Sequence, residues 1–199
     1  MVQGGLGDPV VPQPSNNVLS VLVMPSAVDP IVDWQERNRE LVAGCVRGDG
    51  RQKARLARVR AAFARARERL AAPLTLYRGT RVTDIYNREE GQGGAPSYGV
   101  GATEPLPCPL SFTRSRAAAR EFADWSTRGA GTGRGRIHIV SLPVGTPVVD
   151  VARYVKQGVG PAFRPHIREN AAREKEVVLD RVQLHCTRVT SRSVYWSAK

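Results

Sequence analysis

Apolar residues recur at three- and four-residue steps through the second helical segment of the chain. Leu56, Val59, Phe63, Ala66 and Leu70 form one stripe, which predicts a helix from about Arg51 to Ala71 ended by Pro73. Arg51, Arg55, Arg58, Arg65 and Arg69 fall largely off that stripe and read as its solvated face. Upstream, Asp29 or Asp33 is placed to cap a helix running to about Arg47, and Gly48-Asp49-Gly50 breaks it. After Pro73 the period changes. Short apolar runs predict strands at Leu74–Arg78, Leu110–Phe112, Ile137–Leu142, Pro147–Val151, Glu176–Leu179, Val182–Val189 and Ser193–Trp196. Ser115 to Ser126 reads as a helix with Ala119, Phe122 and Ala123 on one face, and a short helix is expected before Glu174.

Between these elements the chain is rich in turn formers. Residues 1–27 read as a mostly irregular arm with one apolar run, Val18–Met24. Residues 79–109 hold five glycines between Gly91 and Gly101 and prolines at 96, 105, 107 and 109, which predicts a loop. Arg128–Gly135 is a second glycine loop. The expected organisation is an arm over 1–27 and one α+β domain over 28–199, with a helical lobe at 28–72 and a strand-dominated core at 73–199. There is no internal repeat.

Composition narrows the class. A hydrophobic content of 41% and a charged content of 24% in 199 residues suit one globular domain with a real core. No run is long and apolar enough to span a bilayer, so no membrane insertion is expected. The first residues lack a basic region followed by an apolar stretch, so no secretory signal is expected. Cys45, Cys108 and Cys186 are odd in number and far apart. They predict neither a disulfide framework nor a metal cluster, and point to a reducing compartment. The net charge is +12 and all but four of the 30 basic residues are arginine. Such a surface favours anionic ligands, although an Ala/Arg/Gly/Val-rich chain also has a purely compositional origin for its charge.

Three short features line up in chain order. Arg78 ends the strand Leu76-Tyr77-Arg78-Gly79. Ser111-Phe112-Thr113 closes a strand and precedes a helix carrying Ala119 and Phe122. Glu174-Lys175-Glu176 precedes the apolar Val177-Val178-Leu179, and in an extended segment the two carboxylates would share a face. In this order the chain resembles the arginine-serine-glutamate class of mono-ADP-ribosyltransferases, which includes bacterial ADP-ribosylating toxins and vertebrate arginine-specific ecto-enzymes. The resemblance covers about residues 73–197. It departs from the family at Phe112, where a small polar residue is usual.

The resemblance implies a split β-sandwich of two small perpendicular sheets beside a helical lobe, with NAD as co-substrate and no metal. It implies that Arg78 grips a phosphate of NAD by paired hydrogen bonds. Gly79 would allow close backbone approach to the nicotinamide amide. Ser111 and Thr113 would serve the NAD site, and Glu176 would stabilise the positive charge that develops as the nicotinamide–ribose bond breaks. Glu174 would orient an acceptor arginine of a target protein and take its proton. Phe163, in the loop before Arg173, would contact the target, and Arg134 or Arg136 would touch a phosphate. An effector or toxin delivered by a specialised system into the cytoplasm of a target cell is expected, with an acidic cognate immunity protein in the producing cell. Alternatives stay open: the same fold modifying RNA or DNA, an NAD glycohydrolase, or a non-catalytic nucleic-acid-binding module using the arginine-rich helix.

Other signals are weaker. His138, His166 and His185 lack metal-ligand spacing. Trp34, Trp125 and Trp196 read as packing residues.

Overall fold

The first helix begins as its cap predicts. Pro30 opens α1 (Pro30–Arg47), and the Ile31 N–H donates to the Asp29 carboxylate at 2.7 Å. Gly48, at φ 81°, ends it in the left-handed conformation that glycine tolerates best. Asp49 then caps α2 (Gly50–Ala66) by accepting from the Arg51 and Gln52 N–H groups. The computed structural model describes residues 29–80, 85–86, 98–106, 108–125, 135–157 and 165–199, with the backbone only at 125, 165–168 and 171. The 1–27 arm, Arg134 and Phe163 lie outside the described residues.

α2 stops five residues earlier than the apolar stripe predicts. Arg67 is extended (φ −67°, ψ 133°), and β1 (Glu68–Arg69) pairs with β6 (Pro147–Asp150). Leu70 still packs against the core, reached by a strand rather than by another helical turn. The remaining elements are β2 (Leu74–Thr80), β3 (Thr103–Pro105), β4 (Leu110–Thr113), α3 (Arg116–Trp125), β5 (Arg136–Leu142), α4 (Val151–Gln157), α5 (Pro165–Glu174), β7 (Glu176–Leu179), β8 (Gln183–Val189) and β9 (Ser193–Ala198). Two of these depart from the sequence expectation. β3 lies inside the glycine- and proline-rich stretch read as loop, and α4 begins where a strand was expected to end. α4 has only Val151 and Val155 buried, too short a pattern to stand out, and its start is set by Asp150 accepting from the Arg153 N–H at 2.8 Å.

Among the described residues nine strands run in the order β1-β6-β7-β4-β2-β5-β9-β8-β3, and of these pairs only β5 and β9 are parallel. The chain is therefore α+β, as expected. The ladder thins at one place: β2 meets β4 at the single pair Tyr77↔Thr113. This seam divides the sheet into β1-β6-β7-β4 and β2-β5-β9-β8-β3, the counterparts of the two small sheets. Past Tyr77, β2 continues to Thr80 paired on its β5 side.

The two N-terminal helices share one core with the strands. Trp34, Leu41, Leu56 and Phe63 belong to the same buried cluster as Leu76, Leu110, Val178 and Trp196. Polar ties fix their placement. Arg60 of α2 makes a forked ion pair with Asp180 at the end of β7, Arg55 pairs with Asp33 at 2.6 Å, and Tyr154 of α4 donates to Asp29 at 3.3 Å. A disulfide joins Cys45 of α1 to Cys108, just before β4. This overturns the disulfide-free reading, which was the basis for expecting a reducing compartment. The two cysteines are 63 residues apart in sequence, and only the packing of α1 against the strands brings their Cα atoms to 6.3 Å. Cys186 is free and buried.

On the other face of the sheet, α3 lies across β2 and β5. Ala119 and Ala123 are buried there, but Phe122 is 42% exposed, so the expected apolar face is made by the two alanines. His138 is a packed histidine. Trp196 Nε1–H donates to its Nδ1 at 3.1 Å, so Nε2 carries the proton and donates to Thr80 Oγ1 at 3.1 Å.

Candidate functional site

β4 and β7 are antiparallel neighbours in which Thr113 faces Glu176 and Ser111 faces Val178. Ser111 and Glu176 are thus diagonal neighbours on one face, close enough for their side chains to meet. The Ser111 hydroxyl donates to Glu176 Oε1. A second donor comes from far away in the chain: Trp34 Nε1–H of α1 reaches the same oxygen at 3.1 Å. Trp34 is fully buried and packs edge-on against Phe63 of α2, with ring centroids 5.4 Å apart. The other carboxylate oxygen, Oε2, is buried and has no hydrogen-bond partner among the described residues.

Burial dominates the titration of Glu176. Desolvation pushes its pKa from 4.5 up to about 7, opposed by the hydrogen bonds from Ser111 and Trp34. The charge of Glu174 raises it further and that of Arg78 lowers it. A carboxyl poised near neutrality, with one oxygen fixed and the other unsatisfied, is the strongest chemical anomaly in the described structure.

Arg78 sits at the seam between the two halves of the sheet. It is half-buried, and its guanidinium donates to the carbonyls of Ile85 and Ser111, both at 2.8 Å. The Ser111 residue therefore links both charges, through its hydroxyl to Glu176 and through its carbonyl to Arg78. Gly79 has a packing reason for being glycine. A Cβ there would lie 2.0 Å from the Ala119 carbonyl oxygen and 2.7 Å from the Ala123 nitrogen. Helix α3 thus occupies that side, and the residue type follows from helix–strand contact.

The two glutamates do not lie on one extended face. Glu174 is the last residue of α5, Lys175 adopts a left-handed conformation (φ 47°), and Glu176 opens β7. The i, i+2 reading fails because the segment turns between the carboxylates. Glu174 keeps 27% of its side chain exposed. Its pKa is raised by partial burial, against the lowering effect of Arg173. Thr113 holds this turn. Its hydroxyl donates to the Glu174 carbonyl and accepts from the Ser115 N–H, and the Arg114 N–H donates to the Lys175 carbonyl at 3.3 Å. Ser115 in turn caps α3 by accepting from Ala118 at 3.2 Å. Ser111 is therefore not needed as a helix cap, and its hydroxyl is committed to Glu176.

The structure brings Arg78, Ser111, Thr113, Glu174 and Glu176 to the meeting point of β2, β4 and the α5–β7 turn. Arg134 and Phe163 are outside the described residues, and Arg136 is engaged with the Thr190 carbonyl at 2.9 Å. Trp34 is the residue that sequence reading missed as part of the site. The only signal it carries is general: a buried indole N–H seeks an acceptor. Among the described residues no cluster of His, Cys, Asp or Glu could hold a metal ion, and no helix is long and apolar enough to cross a membrane.

No protein-family model and no curated protein sequence matches the chain. Its fold is that of ADP-ribosyltransferase toxins. Plx2a, an ADP-ribosyltransferase toxin from Paenibacillus larvae, aligns with a TM-score of 0.57 at 13% identity, over 85% of this chain and 84% of the toxin. Exoenzyme S from Pseudomonas aeruginosa, in complex with human 14-3-3 protein beta and bound to carba-NAD, aligns with a TM-score of 0.50 at 15% identity, over 85% of this chain and 72% of that one. The ADP-ribosyltransferase Vis, in complex with agmatine, aligns with a TM-score of 0.51 at 13% identity, over 89% and 75%.

Proposed function

We propose that the protein is an NAD-dependent mono-ADP-ribosyltransferase that modifies an arginine side chain of a target protein. The observation that carries this reading is Glu176: a buried carboxyl held through one oxygen by Ser111 and Trp34, with the other oxygen orphaned and the Arg78 charge felt at the group. An orphaned buried acceptor suits a ribose hydroxyl, and a guanidinium anchored at a seam suits a pyrophosphate. When bound, NAD supplies the ADP-ribosyl group and nicotinamide as the leaving group.

Each residue then has a task. Arg78, oriented by two backbone carbonyls, binds phosphate by charge-assisted hydrogen bonds. Ionised Glu176 places negative charge beside the ribose carbon that loses nicotinamide, where low dielectric makes that charge effective. Ser111 and Trp34 fix Oε1, which leaves Oε2 to accept from the ribose hydroxyl. Glu174 orients the acceptor guanidinium. The guanidinium nitrogen forms the new bond to the ribose carbon, and its proton passes to Glu174. The raised pKa of Glu174 makes it the better acceptor. Arginine as acceptor draws support from Glu174 itself and from Vis, a protein of the same fold solved with agmatine, a small guanidino compound. The toxin part of the reading rests on the fold neighbours alone.

The test is incubation with labelled NAD, with and without agmatine, for wild type, Glu174→Gln and Glu176→Gln. Transfer that is lost in both variants, with nicotinamide release surviving only in Glu174→Gln, is expected. Release without transfer in wild type would replace the arginine reading with hydrolysis to water. One observation favours a second reading, modification of nucleic acid: α1 and α2 form a concavity of about 560 Å³ lined by Arg37, Arg51, Arg55 and Arg58. Labelling of RNA or DNA in place of agmatine would establish it.

A further inference from the structure

We propose that the groove between α4 and α5 docks acidic residues that flank the acceptor arginine in the target protein; this rests on the arginine-transferase reading above. The groove has a volume of about 790 Å³. Ala152, Val155 and Ala172 give it apolar walls, and Arg114, Lys156 and Lys175 bring positive charge to it.

The groove adjoins the acceptor side of the site. Lys175 directly follows Glu174, and its carbonyl accepts from the Arg114 N–H, so two groove residues are tied together at the turn that carries Glu174. An extended chain advances about 3.3 Å per residue, so residues flanking an arginine presented to Glu174 can reach past Lys175 toward this groove.

Charge bookkeeping within the groove leaves a positive excess. Arg114 is balanced by Asp150 at 2.8 Å, and Arg153 by Glu68 at 2.7 Å. Lys156 and Lys175 are exposed and have no carboxylate partner among the described residues. These two ammonium groups are therefore available to an incoming anion. A peptide suits the groove better than a nucleic acid does. Among the described residues no aromatic ring lines it for base stacking, and its walls are small and aliphatic. An acidic side chain on a peptide can reach a lysine while the peptide backbone stays on the alanines.

The experiment uses the full chain and three peptides, each with one arginine flanked by glutamates, serines or lysines. Agmatine serves as the flank-free acceptor, and wild type is compared with Lys156→Glu. Transfer of labelled ADP-ribose is measured as kcat/KM, and peptide binding is read separately by fluorescence anisotropy. Wild type is expected to prefer the glutamate-flanked peptide over the serine-flanked one by about three- to tenfold. Lys156→Glu is expected to abolish or invert that preference while agmatine is modified at the wild-type rate. An unchanged preference in Lys156→Glu would overturn the proposal. A single-stranded oligonucleotide that binds as tightly as the acidic peptide, and loses affinity equally in Lys156→Glu, would overturn it in favour of nucleic acid. If neither agmatine nor any peptide is modified but the anisotropy preference persists and depends on Lys156, the groove assignment stands and the transferase reading fails.

Discussion

The two sides of Lys175 place two neighbouring carboxylates in contrasting surroundings. On the strand side, Glu176 is sealed into the core, fixed by donors from α1 and β4, and pushed to a pKa of about 7. On the helix side, Glu174 ends α5, is partly open to water and pairs with Arg173. Two carboxylates separated by one residue thus receive different dielectric surroundings and different freedom. The lesson is that a single left-handed residue can divide one short acidic motif into a buried, doubly anchored carboxyl and a partly exposed one.

Removing the fixed element has the largest expected effect. Glu176→Gln should lower nicotinamide release on the order of a thousandfold, because the charge beside the reacting ribose is lost in a low-dielectric site. Glu174→Gln should leave release within a few-fold of wild type and remove transfer. Equal losses of release in both variants would erase the division between the two sides.

The same contrast sets a pH dependence of stability. Glu176 binds its proton more tightly in the folded protein, with a pKa of about 7 against 4.5. Between those values the folded state holds the extra proton, so stability falls as pH rises through that window and levels off above about 7. Ionising this group costs ~3 kcal/mol. Glu176→Gln cannot ionise there, so its stability relative to wild type should improve by about that amount between pH 5 and pH 8, measured by urea unfolding. A gap independent of pH would show that Glu176 titrates as an ordinary surface carboxyl.

Much of this arrangement is legible in the sequence, and what is not has a physical reason. Arg78, Ser111 and Glu176 stand in local contexts that announce themselves: a strand end, a hydroxyl before a helix, an acid before a buried strand. The contact of Trp34 with Glu176 spans 142 residues and depends on how α1 packs, which no local pattern encodes. The Cys45–Cys108 bond is hidden for the same reason, since spacing says nothing about two cysteines brought together by tertiary packing. The turn at Lys175 is misread because lysine is a poor predictor of left-handed backbone, and the surrounding hydrogen bonds from Thr113 and Arg114 impose it.

Trp34→Phe sharpens the comparison by acting on the buried side alone. It removes the indole donor and keeps an aromatic ring against Phe63. Loss of one hydrogen bond to the carboxylate should raise the Glu176 pKa further, moving the acid limb of kcat/KM for nicotinamide release up by about one pH unit. Activity should approach the wild-type level at high pH. A uniform loss at every pH, with no shift of the limb, would assign Trp34 a packing role only.

The smallest expected effect concerns the divider itself. A lysine at φ 47° holds a conformation that costs an L-residue roughly 1–2 kcal/mol, whereas glycine adopts it freely but loses more entropy on folding. Lys175→Gly should therefore be more stable by about 0.5–1 kcal/mol, a rise of a few degrees in Tm. The gain in stability should carry a cost in coupling. A glycine between the two carboxylates loosens the angle between α5 and β7, so agmatine transfer should fall relative to nicotinamide release, which depends on the anchored Glu176. Agmatine is the right acceptor here because it has no flanking residues to sense the missing ammonium group. A variant that is stabilised and keeps the wild-type ratio of transfer to release would show that Thr113 and Arg114 hold the turn without help from the residue at its centre.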